Sequence, residues 1–296
     1  MKTLPPIILA LMAAMLLSTP AIAYNYSFTT MDVPGYASTE LRGINDAGQI
    51  SGSCFTSTDS SHGVLYYGGQ YSIFDVPGAV GTTEGAGIDA LGRIVGSYSV
   101  AGVWHGFQDD HGSFINPLNF PNATNTYASG INAKSQIVGY STGGPSGQIG
   151  FLYSGGSYSP VIAPGAQNTL ALGITDAGEV LGFYVISGTL HGFIFYNNKY
   201  TTIDNQAADT ILYGKNAAGL IVGAGRDNSN HMHGFLFDGK TFTAIEPSVA
   251  VQSWAYGINR RGQIVGSYID QSNKTHGFLA TPKNGVIAPS QILLLD

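Results

Sequence analysis

Five histidines stand directly before a glycine at matching positions of the chain: His62-Gly63, His105-Gly106, His191-Gly192, His233-Gly234 and His276-Gly277. Imidazole binds metals and exchanges protons near neutral pH, so a recurring set invites a metal or acid–base reading. The spacing argues against it. The five occupy one position of a repeated unit, so each belongs to its own unit and stands apart from the others. The expected role is structural, with each ring hydrogen-bonding inside its unit to Asn45, Asp89, Asn132 or Asn259, because buried polar groups need partners. Glu40 and Glu84 fall at matching positions of adjacent units and can approach each other. Paired carboxylates suit glycoside hydrolysis. Trp104, Tyr127, Tyr213, Trp254 and Tyr256, with Arg226, Asp227 and His231 nearby, fall in variable segments between the regular stretches. Aromatic faces with a few polar groups suit sugar rings. Asp227-Asn228-Ser229-Asn230 and Asp270-Gln271-Ser272-Asn273 resemble calcium loops only in part; they lack the Gly and Glu of a full loop and read as polar turns. No metal, cofactor or phosphate loop is expected: Cys54 is the one cysteine, and no helix follows any of the glycine patterns.

The elements that must position these residues come from an internal repeat. Its first glycines are Gly43, Gly87, Gly130, Gly173, Gly214 and Gly257, in steps of 44, 43, 43, 41 and 43 residues. A second glycine follows nine residues on, at Gly52, Gly96, Gly139, Gly182, Gly223 and Gly266. Each unit then carries a His-Gly-aromatic triplet or a variant of it. A period in this range marks stacked or ring-arranged units. Within one unit the chain reads as four short strands: Leu41 to Asn45, Gln49 to Phe55, His62 to Tyr67 and Gln70 to Val76. Asp46-Ala47-Gly48 and Gly68-Gly69 are turn sequences, and Pro77-Gly78 ends the unit. No helical periodicity intervenes. The fold class is therefore all-β, a six-bladed β-propeller of four-stranded antiparallel blades. The last unit stops after its third strand, near Ala280. Tyr26 to Gly35 matches the fourth strand Tyr71 to Gly78, so the N-terminal strand is expected to close the ring by pairing with the last blade, which removes an open edge.

The Gly-Ile-Asn…Gly-Gln-Ile-Val-Gly-Ser-Tyr…His-Gly-Phe-Leu units, as in Gly257 to Leu279, resemble the bacterial HAF-type extracellular repeat family. The resemblance covers nearly all of the chain after its leader. It implies a β-propeller-like, extracellular protein and carries no catalytic residues to transfer. Three units depart from the pattern: Ile149 stands where His is expected, Thr175 where Asn is expected, and Lys215 where Ile is expected.

Lys2, the apolar run Leu4 to Leu17 and Ala21-Ile22-Ala23 read as a cleavable secretory leader. The organisation expected is a signal peptide at 1–23, the repeat domain at 24–281 and a tail at 282–296. With the leader the chain loses one lysine and no acid, so its formal charge moves from −6 to −7. An acidic chain of low charge density argues against nucleic acid and anionic membranes as partners. No later stretch reaches transmembrane length. The function expected is a secreted or periplasmic, cell-surface binding or scaffold module, monomeric, recognising a glycan or an extracellular protein on its variable-loop face. The alternative is an extracellular polysaccharide hydrolase or lyase with acids at the channel mouth. A third reading is a purely structural envelope protein.

Overall fold

The computed structural model describes residues 25–79, 81–144, 147–205 and 209–283. The leader expected at 1–23 and nearly all of the expected tail lie outside these residues. The described chain forms six four-stranded antiparallel sheets, each built from consecutive strands except the one that joins the two ends of the chain. Blade one shows the plan: an inner strand Ser38–Ile44, then Ile50–Phe55, Ser61–Tyr67 and an outer strand Gln70–Phe74. The inner strands of the next five blades are Thr83–Ile88, Asn125–Ile131, Asn168–Ile174, Thr210–Lys215 and Ala250–Ile258. In blade six the third strand is Thr275–Pro282, and its outer neighbour is Tyr26–Thr30 from the start of the chain. Tyr26 faces Pro282 and Thr30 faces Phe278 in that pairing. The ring closes as the repeat predicts.

The three glycines of each unit have separate steric reasons. The first sits beside a β-bulge on the inner strand, at Leu41/Gly43 and its equivalents. A Cβ on Gly43 would crowd Ala86 and Ile88, one on Gly87 would crowd Gly130, and one on Gly257 would crowd Arg42 and Ile44. The first glycines thus form a closed ring where neighbouring inner strands approach most tightly, around the central axis. At the second glycine a Cβ would overlap the inner-strand carbonyl opposite, as Gly139 would with Tyr127. At the third, the outer strand is the neighbour: Gly150 lies against the Val161 carbonyl and Gly277 against that of Met31. The aromatic after it fills the space between blades; Phe107, Phe151, Phe193 and Phe278 are essentially fully buried.

One expectation about polar groups is corrected. The histidines do not bond to the Asn or Asp after Gly-Ile. His62 Nδ1 bonds to Asp75 at 3.0 Å, His105 to Asn119 at 2.8 Å, His191 to Asp204 at 2.8 Å and His276 to Asp32 at 2.7 Å, while His233 bonds to Glu246. The imidazole therefore ties the third strand to the residue that ends the outer strand. In blade three Ile149 replaces the histidine and Ile162 stands at its partner's position, so both polar members are lost together. That costs little, because no group is left unpaired.

The asparagines instead lock blades to one another. Asn45 Oδ1 accepts from the backbone N–H groups of Ala47 and Gln49, which shapes the turn. Its Nδ2 donates to the Asp89 carbonyl of the next blade at 2.9 Å. Asn132 donates likewise to Thr175, Asn216 to Asn259, and Asn259 to Asn45. Two seams lack the amide and use a charged side chain instead. Asp89 cannot donate; Arg93, held to Asp89 at 2.7 Å, reaches across to Ser135 at 2.6 Å. The Thr175 hydroxyl donates to Glu179 within its own blade at 3.3 Å; Lys215 of blade five pairs with Glu179 of blade four at 2.6 Å. The departures noted at Thr175 and Lys215 are thus two halves of one substitution at the same joint.

Candidate functional site at the channel mouth

Entry segments and second-to-third connections lie at one end of every blade, because the inner strand starts where the second strand ends; Ser38 pairs with Phe55. The expectation that the candidate residues sit on loops at this end is corrected. Glu40, Glu84, Tyr127, Tyr213, Trp254 and Tyr256 lie on inner strands, Trp104 on the third strand Val103–Asp110, and Arg226 at the end of the strand Ile221–Arg226. Asp227 and His231 alone lie outside strands. The connections are shorter than the composition suggests. Ala101-Gly102 and Ser187-Gly188 are two-residue turns with both φ values positive, the geometry that matches the strand twist.

The inner-strand residues fall into tiers counted from the ring glycine, and of the tier three residues before it only Glu84, Tyr127 and Leu170 line the central chamber. Three residues before it stand Glu40, Glu84, Tyr127, Leu170, Ile211 and Trp254. One before it stand Arg42, Ala86, Ser129, Leu172, Tyr213 and Tyr256. One after it stand Ile44, Ile88, Ile131, Ile174, Lys215 and Ile258. This last ring lines both an upper cavity of roughly 390 Å³ and a lower one of roughly 450 Å³, and so separates them.

The upper chamber is strongly asymmetric. Arg42 bonds to Glu40 at 2.6 Å and lies over the Tyr256 ring, 5.0 Å from its centroid. Tyr256 meets Tyr213 edge to face at 4.7 Å. Tyr127 stacks on Tyr140 at 4.8 Å and is covered by Trp104 at 5.7 Å. Leu170, Leu172 and Phe183 make an apolar wall in blade four. Burial pushes the Tyr256 hydroxyl up to about 12, and holds Tyr213 well above its ordinary value. Burial also lowers the affinity of Arg42 for its proton, but Glu40, Tyr256, Glu84 and Tyr213 outweigh that, so the guanidinium stays charged. Glu84 is raised above the usual carboxylate range by burial; Arg42 works against the rise and Glu40 adds to it. Its carboxyl makes no hydrogen bond or ion pair with a described residue. As a hydrolytic pair the two acids differ: Glu40 is engaged by Arg42, and Glu84 is the one that faces the chamber.

The remaining candidates stand elsewhere. Trp254 packs against the buried cluster of Ile211, Ala224 and Met232. Arg226 pairs with Asp209 at 3.0 Å and donates to Asn230 at 2.7 Å. Asp227 accepts from the His231 and Ser229 backbone N–H groups and contacts His233 Nε2 at 3.1 Å, so it shapes its own loop. Among the described residues no His, Cys, Asp and Glu group is arranged to hold a metal ion, and no helix is long and apolar enough to cross a membrane. Arg42, Tyr140, Leu172 and Phe183 line the chamber without having been singled out from sequence. Counting from the ring glycine finds the first and third, and the residue after the second glycine gives the other two.

Solved structures share this fold. A variant of the Aleuria aurantia lectin in complex with Fucα1-6GlcNAc superposes with a TM-score of 0.54 at 10% identity, covering 89% of this chain and 99% of that one. The SapL1 lectin in complex with α-methyl fucoside gives 0.54 at 11% identity, over 86% and 98% of the two chains. TolB from Acinetobacter baumannii gives 0.53 at 12% identity, over 86% of this chain and 55% of that one. Likeness at this identity establishes the propeller and nothing finer. No family model matches the chain, and no curated protein does.

Proposed function

We propose that the protein is a carbohydrate-binding propeller that works outside the cytoplasm and holds a saccharide in the upper chamber of its central channel. The observation that carries this reading is the chamber's wall: stacked tyrosines on one side, leucines and a phenylalanine on the other, and a carboxylate and a guanidinium at the rim. Pockets of a few hundred Å³ with apolar walls and few polar groups are the usual form of a small-molecule site. The propeller lectins of similar fold, solved with fucosides, support the class of ligand. The secretory leader read at 1–23 and the resemblance to extracellular repeats support the location. Calorimetric titration with a panel of neutral mono- and disaccharides tests it. Binding is expected, and Tyr127→Ala is expected to weaken it about tenfold by removing a stacking face. No heat with any saccharide, or binding unaffected by Tyr127→Ala, overturns it.

A further inference from the structure

The charges around the chamber do not balance, and this bears on which saccharide it takes. The inference rests on the carbohydrate reading above. Glu40 and Arg42 satisfy each other at 2.6 Å. Lys215, the other cation on the wall, belongs to the ring at the chamber floor and is held by Glu179. Glu84 remains, partly buried and facing the chamber, with no hydrogen-bond or ion-pair partner among the described residues. Arg42, Glu40, Tyr127 and Tyr140 are all within its electrostatic reach. Tyr127 and Tyr140 stand near it, and Tyr213 and Tyr256 line the same chamber. Tyrosine faces are electron-rich and attract cations. An unpaired carboxylate out of bulk water costs free energy until a cation reaches it.

We propose that the upper chamber selects an amino sugar, a saccharide with a free ammonium group, placing that group against Glu84 beside Tyr127 and Tyr140. A uronate is disfavoured on the same grounds: Arg42 is already occupied and Glu84 would repel a second carboxylate. A neutral or N-acetylated sugar leaves Glu84 without its counterion. A bare cation leaves the wall of Leu170, Leu172 and Phe183 uncovered, whereas a sugar ring's apolar face covers it.

The test compares β-linked disaccharides of glucosamine and of N-acetylglucosamine by titration calorimetry at a pH where the amine is protonated. The amine form is expected to bind at least about tenfold more tightly, the scale of one partly desolvated cation contact. That preference is expected to shrink with added salt and to disappear in Glu84→Gln, whose folding a thermal melt checks. Equal or tighter binding of the acetylated disaccharide overturns the proposal in the unaltered protein, whatever the variant does. So does a preference that survives in Glu84→Gln. If neutral sugars bind and Tyr127→Ala weakens them while no amine preference exists, the carbohydrate reading stands and the ammonium inference falls. If neither disaccharide nor any neutral sugar binds, both fall.

Discussion

Glu84 is the residue at which stability and function pull apart. Its carboxyl titrates above the ordinary range because burial penalises the charged form. The folded state therefore prefers the protonated acid, and ionised Glu84 lowers stability at pH values above its folded pKa. Glu84→Gln is expected to melt at the same temperature as the parent or higher at pH 7. The parent should gain on the variant as pH falls through the raised pKa, a trend that paired thermal melts at pH 7 and pH 4 would expose. His233 shows the opposite logic. Burial lowers its pKa, but hydrogen bonds and charge from Asp227 and Glu246 outweigh this and raise it, while Asp227 is lowered chiefly by the His231 backbone N–H. A raised histidine stabilises below its unfolded pKa and loses that contribution as pH rises through the folded one. A lowered carboxylate stabilises above its unfolded pKa and loses the contribution as pH falls through the folded one. The loop from Asp227 to His231 should thus be best docked between these limits. The protection factors of the Ser229 and His231 amides, corrected for the intrinsic pH dependence of exchange, should fall on both sides, and a monotonic trend in protection would contradict the pairing.

At the scale of elements, the seams between blades decide how the channel is held. Four use an asparagine amide, one an arginine-to-serine hydrogen bond and one a lysine–glutamate ion pair, yet each bridges neighbouring blades. Asn132→Ala leaves the Thr175 carbonyl and two turn N–H groups without their partner. It is expected to cost about 1–3 kcal/mol in a denaturant melt, and a loss below a few tenths would mean that water replaces the amide freely. Gly139→Ala is expected to cost more, about 3 kcal/mol or above, since its Cβ would overlap the Tyr127 carbonyl and the inner strand cannot move without shifting the ring. That variant should also disturb the Tyr127–Tyr140 stack, visible as a changed near-ultraviolet circular dichroism spectrum.

At the scale of the whole molecule, closure depends on a strand far away in the chain. Tyr26–Thr30 covers the edge of Thr275–Pro282, and Asp32 brings the partner of His276. Deleting residues 24–32 should leave blade six with three strands, an open edge and a histidine that keeps Asp270 on Nε2 but loses its Nδ1 partner. The expected result is a lowered melting temperature and self-association on size-exclusion chromatography, as bare edges promote pairing between chains. A truncated chain that stays monomeric with unchanged stability would show that the seams alone hold the ring.

The architecture was legible because it is periodic. Six ring glycines, their partners nine residues on and the match of Tyr26 to Gly35 with Tyr71 to Gly78 specify blade number and closure through steric rules that act locally. The pairing of the histidines was less legible, since the partner lies 13 or 14 residues downstream just past the outer strand, or for His276 at Asp32 near the other end of the chain; the joint change of Ile149 and Ile162 was the available clue. The residues expected on loops, Glu40, Tyr127 and Tyr256 among them, proved to be strand residues, because the inner strands start several residues before the ring glycine, with Ser38 opposite Phe55 and Asn125 opposite Thr142. Only the tertiary structure could decide which of them share one chamber. The period assigns each side chain to a tier, but neighbours around the axis come from different blades some 43 residues apart. Whether Arg42 turns to Glu40 or to Glu84, and so which acid is left facing the cavity, depends on distances across the axis that no spacing along the chain records.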